Sequence, residues 1–342
     1  MNSNKEFVKL SREIREIRNP KYSRYCKSKV ELRKCVLSHL LFHRSRSRGY
    51  IPFETLNVRA FMGEFGYPND AIERFLLGPT TNSLQISDPG DASRDYMTGW
   101  GPNVYHECFR ESAIKFYNET VKLCHVIMQI MSSAMDMPPN FLHTLCGEDD
   151  HSMSVAHYPV VEHVKEKQDR AGEHKDISLF TVILQDEIKG ALKLRNSLNE
   201  LVAANSPSPD AFLLLLGEPL QIITNDFWPA LSHVVPLNGS NDDVDQSFNK
   251  WVERTSVPFF VKLDKNALIQ PSPKFLMENG GCAKYEAIPF STFAHKMQNL
   301  YKKNYRSIQK SNYISAYPPK FHRLDMMWMA DADPSCSSKF AF

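Results

Sequence analysis

One stretch of the sequence decides how the chain folds: Arg170-Ala-Gly-Glu-His174-Lys-Asp176-Ile-Ser-Leu-Phe-Thr-Val-Ile-Leu-Gln-Asp186. Its second half is β-branched and apolar, so residues 174–184 are predicted to form a buried or half-buried strand. Side chains two positions apart on a strand lie on the same face of the sheet. We therefore expect the side chains of His174 and Asp176 to point the same way.

An imidazole and a carboxylate that converge on one point are two of the three ligands of a 2-His-1-carboxylate iron site. A His and an Asp two positions apart also occur by chance, so the interpretation depends on a third ligand elsewhere. His233 is the candidate, because its neighbours Leu231 and Val235 are apolar at period two, as expected for a strand that faces a packed interior. The alternative is that these residues are ordinary core histidines and a turn-capping aspartate.

A pair of residues that suits carboxylate binding follows His233 along the chain. Arg254 and Ser256 are two positions apart, so a strand would present a guanidinium and a hydroxyl group on one face. This combination can hold a carboxylate at a fixed point, because the planar guanidinium donates two parallel hydrogen bonds. The alternative is a salt bridge within the sheet.

Three blocks of the chain, residues 170–186, 217–235 and 254–260, resemble in this order the iron(II)/2-oxoglutarate-dependent oxygenases of the isopenicillin-N-synthase-like group. The resemblance implies an Fe(II) ion held by two histidines and one carboxylate, and a 2-oxoglutarate molecule whose distal carboxylate is held by an arginine, a serine and a tyrosine hydroxyl. It implies no catalytic side chain beyond the metal centre. The residues so implied are His174, Asp176 and His233 for the metal, and Arg254, Ser256 and Tyr158 for the co-substrate.

The same resemblance implies an enzyme that consumes O2 and 2-oxoglutarate, releases succinate and CO2, and oxidises a C–H bond of a small molecule of specialised metabolism. Hydroxylation, desaturation and oxidative cyclisation are all open outcomes, and ascorbate is an expected supplement in vitro. Asp176 argues against halogenation, because halogenating relatives carry a small residue at this ligand position. Two alternatives remain open: an iron-dependent oxidase that does not use 2-oxoglutarate, and a non-catalytic jelly-roll binding protein.

The predicted elements place this site in a β-rich core. Residues 151–285 alternate short strand-like runs with turns, which predicts an α+β fold with a double-stranded β-helix (jelly-roll) core flanked by N-terminal and C-terminal helices. A helical and loop region over 1–150 and a C-terminal helix and tail over 286–342 are expected to pack on this core as one structural unit. The predicted strands are 152–158, 174–184, 191–195, 211–216, 220–224, 231–235 and 257–263; the predicted helices are 1–45, 104–137 and 288–311, and a polar insertion is predicted at 237–250.

Composition narrows the class of partner. With 41 basic and 39 acidic residues the formal net charge is +2, which gives no broad field to attract nucleic acid or a membrane surface. The seven cysteines are scattered without Cys-x-x-Cys spacing, which favours a reducing compartment. The amino terminus lacks the apolar segment of a secretory signal, and no apolar run is long enough to cross a bilayer. We expect a cytoplasmic monomer or weak oligomer that acts on a small molecule.

The sequence says little about the substrate. Arg170, Lys193 and Arg195 flank the predicted metal strand and are positively charged. They could contact an acidic substrate, which keeps a carboxylated molecule among the candidates, or they could lie on the protein surface.

Overall fold

The architecture comes from a computed structural model, which describes residues 49–300 except 52, 80–106, 187, 209, 238–251, 279 and 298. The predicted helix over 1–45, the tail beyond residue 300 and all of the polar insertion except Leu237 lie outside the described residues. The division of the chain at residues 150 and 285 stays a prediction.

Two antiparallel sheets form the body of the described chain. In chain order the strands are β1 (Gly49–Ile51), β2 (Glu73–Leu77), β3 (Ser152–Tyr158), β4 (Asp169–His174), β5 (Phe180–Gln185), β6 (Lys193–Arg195), β7 (Leu201–Ala203), β8 (Leu213–Leu216), β9 (His233–Pro236), β10 (Arg254–Val261), β11 (Leu268–Ile269) and β12 (Ile288–Pro289). The larger sheet has the order β1-β2-β3-β10-β5-β8, the smaller has the order β4-β9-β6-β7, and β11 pairs with β12.

The central strand β10 shows why the two faces of the large sheet differ. Successive side chains of a strand point to opposite faces. Arg254 and Ser256 line a cavity between the sheets, whereas Val257 and Phe259 are buried in the core on the other side. Both faces of this strand are therefore covered, one by the site and one by a helix.

That helix is α1 (Glu107–Ala134), which packs on the outer face of the large sheet. Phe116 is fully buried in the same core cluster as Phe259, and the ring centroids of Tyr117 and Phe259 lie 5.0 Å apart. Burying one large apolar side chain of this kind contributes roughly 1.5–3 kcal/mol. The helix predicted over 104–137 is confirmed.

Shorter helical elements complete the described chain. Residues 290–297 and 299–300 are helical, within the range predicted for the C-terminal helix. Whether terminal helices flank the core on both sides stays a prediction. The remaining elements are a 3-10 helix at Val58–Met62, α2 (Phe141–Thr144), α3 (Glu218–Ile223) and α4 (Pro273–Glu278).

The prediction of a strand over 220–224 is wrong, because this segment belongs to α3. Its run of Leu and Ile side chains is too short to distinguish a buried strand from a buried helix by periodicity. The start of the segment carries the signal that was missed. Gly217 is extended, Glu218 lies in the first turn and Pro219 occupies one of the first two helical positions, where its fixed φ suits a helix.

The prediction of one continuous strand over 174–184 is also wrong. Strand β4 ends at His174 and β5 begins at Phe180, so Asp176 lies in the loop between the two sheets. The apolar run continues through this loop because its residues remain enclosed: Ser178 and Leu179 are both almost fully buried. Burial, not strand structure, explains the composition.

The space between the two sheets contains a second core cluster. Ala156 and Ile183 from the large sheet pack there with Ala171 and Val235 of the smaller one. The sheets therefore face each other, and the predicted site residues lie at one end of this interior. Among the described helices, none combines the length and the apolar composition needed to cross a bilayer.

Candidate metal centre and adjoining cavity

Three predicted ligands come together in the space between the sheets. His174 ends β4 and His233 begins β9, and the two residues are direct partners in the antiparallel pair. Asp176, from the loop after β4, has its Oδ1 3.6 Å from Nε2 of His174 and 3.9 Å from Nε2 of His233. One ligand atom from each residue lies within 4.8 Å of the other two.

Both imidazoles are oriented by the backbone. Nδ1 of His174 lies 2.7 Å from the carbonyl oxygen of Gly172, and Nδ1 of His233 lies 3.0 Å from that of Leu231. A carbonyl only accepts, so each Nδ1 must carry the proton and donate it. Each Nε2 therefore keeps its lone pair, and both lone pairs are available on the side of Asp176.

The carboxylate is held by a short chain of hydroxyl groups. The Thr181 hydroxyl donates a 2.5 Å hydrogen bond to Oδ2 of Asp176, and it lies 2.9 Å from the Ser178 hydroxyl. These contacts leave Oδ1 directed toward the histidines. The backbone of the loop is fixed as well, because the amide of Glu218 donates to the carbonyl oxygen of Asp176 over 2.9 Å.

Gly217 is required for this arrangement. A Cβ atom on Gly217 would lie 1.7 Å from the carbonyl oxygen of Ser178 and 3.0 Å from that of Asp176. Real Cβ atoms do not approach backbone that closely, so any side chain would push the loop away. The start of α3 and the loop that carries Asp176 are thus packed backbone against backbone.

The electrostatics favour a neutral imidazole at His174. Burial and, next, the neighbouring His233 lower the pKa of His174 to about 3, against the opposing effect of Asp176. A metal ligand must be unprotonated. His174 therefore meets this requirement throughout the physiological pH range without competition from protons.

The donor set fits Fe(II). Atoms about 2.1 Å from a common ion lie no more than about 4.2 Å apart; both His–Asp separations satisfy that limit, and all three ligand atoms lie within 4.8 Å of one another. Two imidazoles and one carboxylate on one side of an ion leave the other side open, which is the arrangement of non-haem iron oxygenases.

The predicted carboxylate-binding residues lie on adjacent strands in the same cavity. Arg254 is 1% exposed, and its Nη2 donates to the side-chain oxygen of Gln185 over 2.9 Å. The Arg254 guanidinium also lies over the ring of Tyr158, 4.7 Å from its centroid. The Ser256 hydroxyl is 3.4 Å from both Arg254 Nη1 and the Tyr158 hydroxyl. All three predicted residues therefore form one cluster.

One cavity connects this cluster with the metal ligands. Its volume is about 60 Å³. Arg74 on β2 also lines it, a residue that the sequence pattern did not single out. Thr181 and Gln185 were missed as well, although alternation along β5 places both on the face opposite Phe180 and Leu184.

The basic residues near the metal strand are not simply on the surface. Arg170 is 2% exposed and Lys193 is 6% exposed, so a surface position is wrong for both. Arg195 pairs with Glu173. None of the three lines the cavity, and a direct contact with an acidic substrate is therefore not supported by their positions.

Comparison with known proteins shows what the chain resembles. Residues 150–263 match the model of the 2OG-Fe(II) oxygenase superfamily. The chain is 24% identical to Protein DMR6-LIKE OXYGENASE 1 of Arabidopsis thaliana, over 81% of this chain and 78% of that protein. It is 28% identical to the 2-oxoglutarate-Fe(II) type oxidoreductase ppzD of Metarhizium rileyi, over 64% of this chain and 58% of that protein.

A solved structure shows the same fold. The crystal structure of JOX2 in complex with 2OG, Fe and JA aligns with a TM-score of 0.59 at 19% identity, over 86% of this chain and 74% of that one. The expected jelly-roll core is thereby confirmed. The matched domain spans the three metal-ligand candidates and the Arg254 cluster, and the predicted cofactors, Fe(II) and 2-oxoglutarate, are those of the matched family. Residues 150–263 of the chain thus match a 2OG-Fe(II) oxygenase domain, and the two relatives named above are an oxygenase and an oxidoreductase.

Proposed function

We propose that this protein oxidises a C–H bond of a small organic molecule, with Fe(II) bound by His174, Asp176 and His233. The observation that carries the proposal is the single cavity that joins these three side chains to the Arg254 cluster. A metal alone would need only the first group of residues. The second group supplies what a dicarboxylate co-substrate requires at its far end.

Different residues of this chain bind the co-substrate and line the cavity. Arg254 and Ser256, with the Tyr158 hydroxyl, would hold the distal carboxylate of 2-oxoglutarate, which leaves its 2-oxo acid end for the metal. When bound, iron would supply the oxidising power together with O2: one oxygen atom of O2 would enter succinate as 2-oxoglutarate loses CO2, and the other would oxidise the substrate. The apolar cavity walls, including Ile183 and Val235, keep water away and fix which C–H bond lies nearest the metal.

We propose further that the substrate carries an acidic group. Arg74 brings a second guanidinium to the cavity wall, on the strand next to β3 and directly opposite Ala156. Ala156 in turn lies opposite Ser256, and its small side chain leaves room above the sheet between the two. A guanidinium at that position suits a carboxylate that does not belong to the co-substrate.

The names of relatives support a small molecule. One curated relative in Ipomoea batatas, 34% identical over 36% of this chain, is a feruloyl CoA ortho-hydroxylase, and the JOX2 structure contains JA beside 2OG and iron. The chemistry of this chain's product, whether hydroxylated, desaturated or cyclised, depends on the placement of one C–H bond. Mass spectrometry of the product distinguishes the three.

The test begins without any substrate. Purified protein is titrated anaerobically with Fe(II) and 2-oxoglutarate, and we expect a visible metal-to-ligand absorption band for the wild type and none for His174→Ala. Admission of O2 should then give slow succinate release. An iron oxidase that does not use 2-oxoglutarate would give neither the band nor succinate, and that result would refute the proposal.

The substrate class is tested with matched compounds. A library of small carboxylic acids is screened beside the corresponding primary amides for succinate release above the uncoupled rate. We expect acids to stimulate the wild type more than their amides, and Arg74→Gln to lose that preference. Equal stimulation by both sets would contradict the acidic-substrate proposal while leaving the oxygenase proposal intact.

A further inference from the structure

Two buried arginine side chains lie close enough for the positive charge of one to act on the other. Arg170 and Arg254 are among the largest side chains that are fully enclosed. Arg254 belongs to the carboxylate-binding cluster described above. Arg170 comes from β4 in the smaller sheet, and neither the proposed metal centre nor the cavity lining includes it.

The contacts of Arg170 join the two sheets at the point where Arg254 is held. Its Nη2 donates to the carbonyl oxygen of Val252 over 2.7 Å and to that of Pro159 over 3.3 Å. Pro159 follows the last residue of β3, and Val252 lies just before β10. Those strand ends carry Tyr158 and Arg254, which are direct partners in the sheet.

Arg170 also leaves part of its charge uncompensated. Its Nε is buried and makes no hydrogen bond within the described part of the chain. Burial and, next, the positive charge of Arg254 lower the pKa of Arg170 to about 10, against the opposing effects of Tyr158 and Asp186. The carboxylate of Asp186 lies 3.8 Å from Nε of Arg254. The carboxylate of Asp186 therefore acts on both guanidinium groups.

An excess of buried positive charge destabilises the folded protein unless a bound anion neutralises it. A purely structural clamp on two carbonyl oxygens would need hydrogen-bond donors but no charge. The positive charge of Arg170 lies behind the residues that face the cavity. An anion bound against Arg254 would therefore neutralise it.

We propose that Arg170 is a positioning residue for the co-substrate: it fixes the ends of the strands that carry Tyr158 and Arg254, and it supplies a second positive charge that the distal carboxylate of 2-oxoglutarate neutralises. This inference rests on the proposed function. It adds a residue from the opposite sheet that never touches the co-substrate but sets how strongly its far carboxylate is bound.

The test uses two ligands that differ only at that end. 2-Oxoglutarate and 2-oxovalerate have the same chain length and the same 2-oxo acid end, but 2-oxovalerate has a methyl group in place of the distal carboxylate. Dissociation constants for both are measured anaerobically on the full chain with Fe(II), from the absorption band at the metal. Wild type, Arg170→Gln and Arg170→Lys are compared, and melting temperatures verify that each variant is folded.

We expect Arg170→Gln to raise the dissociation constant of 2-oxoglutarate roughly tenfold. This is the size of effect expected for one unit charge several ångströms away inside a protein. Binding of 2-oxovalerate should be unchanged, and Arg170→Lys should retain most of the preference for 2-oxoglutarate. If Arg170→Gln does not fold, Arg170→Met, which keeps the aliphatic stem, carries the same expectation.

Two results would overturn the inference alone. One is an equal loss of affinity for both ligands, which indicates that Arg170 only holds the strand ends in place; the other is no loss of affinity for either ligand. Failure of the wild type to bind 2-oxoglutarate would instead overturn the proposed function, and the inference with it. The comparison with 2-oxovalerate keeps these cases apart, because a metal site without a co-substrate anchor would treat the two ligands alike.

Discussion

His174 and His233 face each other directly across the β4–β9 pair, with imidazole centroids 4.3 Å apart. The two rings therefore depend on the register of one antiparallel strand pair. A slip of one residue would turn one imidazole to the opposite face of the sheet. The backbone hydrogen bonds that define the smaller sheet thus also define the geometry of the candidate metal centre.

Removal of one of these rings should abolish tight metal binding. We expect His233→Ala to lower the affinity for Fe(II) by more than the roughly 10–100-fold that loss of an outer partner costs. The measurement is an anaerobic metal titration. His157→Ala is the matched control, because His157 pairs with Glu73 and Glu253 and does not line the cavity. Equal affinity in the two variants would contradict the assigned ligand role.

The sequence was sufficient to bring the ligand residues together but not to say how each is held. Period-two spacing suggested that His174 and Asp176 share a direction, and the structure does place both near His233. The reason differs from the expected one, since Asp176 lies in a loop whose position is set by Thr181 and by Gly217. Those contacts are distant in sequence or depend on backbone packing, so residue spacing cannot reveal them.

The misassigned strand at 220–224 has a related cause. Local propensity favours β structure for Ile222 and Ile223. The segment is nevertheless helical, because Gly217 caps its start and a proline occupies the first turn. Arg170 shows the limit for charged residues. Its burial follows from carbonyl acceptors supplied by two other strand ends, and no pattern around Arg170 in the sequence indicates them.

The hydroxyl group of Thr181 should raise the affinity for Fe(II), because it orients Asp176. Thr181→Val keeps the shape of the side chain but removes the hydrogen bond to Oδ2. We expect the affinity for Fe(II) to fall by roughly 10–100-fold, the usual effect of an outer hydrogen-bond partner. Thr181→Ser retains the hydroxyl and should bind iron nearly as well as the wild type. Wild-type affinity in Thr181→Val would show that Asp176 is oriented without this bond.

A methyl group at Gly217 should damage both stability and the metal site. The added Cβ would overlap the carbonyl oxygen of Ser178, so the loop that carries Asp176 must move. Overpacking of this kind costs about 1–3 kcal/mol. We expect Gly217→Ala to lower both the free energy of unfolding and the affinity for Fe(II).

Gly147→Ala is the matched control for this change, because its Cβ would meet neighbours at 3.6 Å and 3.9 Å, which is ordinary contact. Chemical denaturation and metal titration are performed on both variants. A Gly217→Ala protein as stable as the control would mean that the loop can shift without cost.

The buried carboxylate of Asp70 should make stability depend on pH. Its two oxygens accept hydrogen bonds from the amides of Val58, over 2.8 Å, and Gly172, over 2.9 Å, so it ties the 3-10 helix to the strand that carries His174. Burial raises the pKa of Asp70 to about 7, although both amide hydrogen bonds act to lower it. The folded protein therefore holds a proton that the unfolded chain releases near pH 4.

The sign of the effect follows from proton linkage. Between about pH 4 and pH 7 the folded state binds more protons at Asp70 than the unfolded state, so this group's contribution to stability is lost as the pH rises. Asp70→Asn cannot titrate and should lose about 1–3 kcal/mol through one unmade hydrogen bond. The difference in the free energy of unfolding between the wild type and Asp70→Asn should therefore shrink from pH 4 to pH 7, as measured by urea denaturation. An advantage that grows over this range would mean that the two amides stabilise the carboxylate more than burial opposes it.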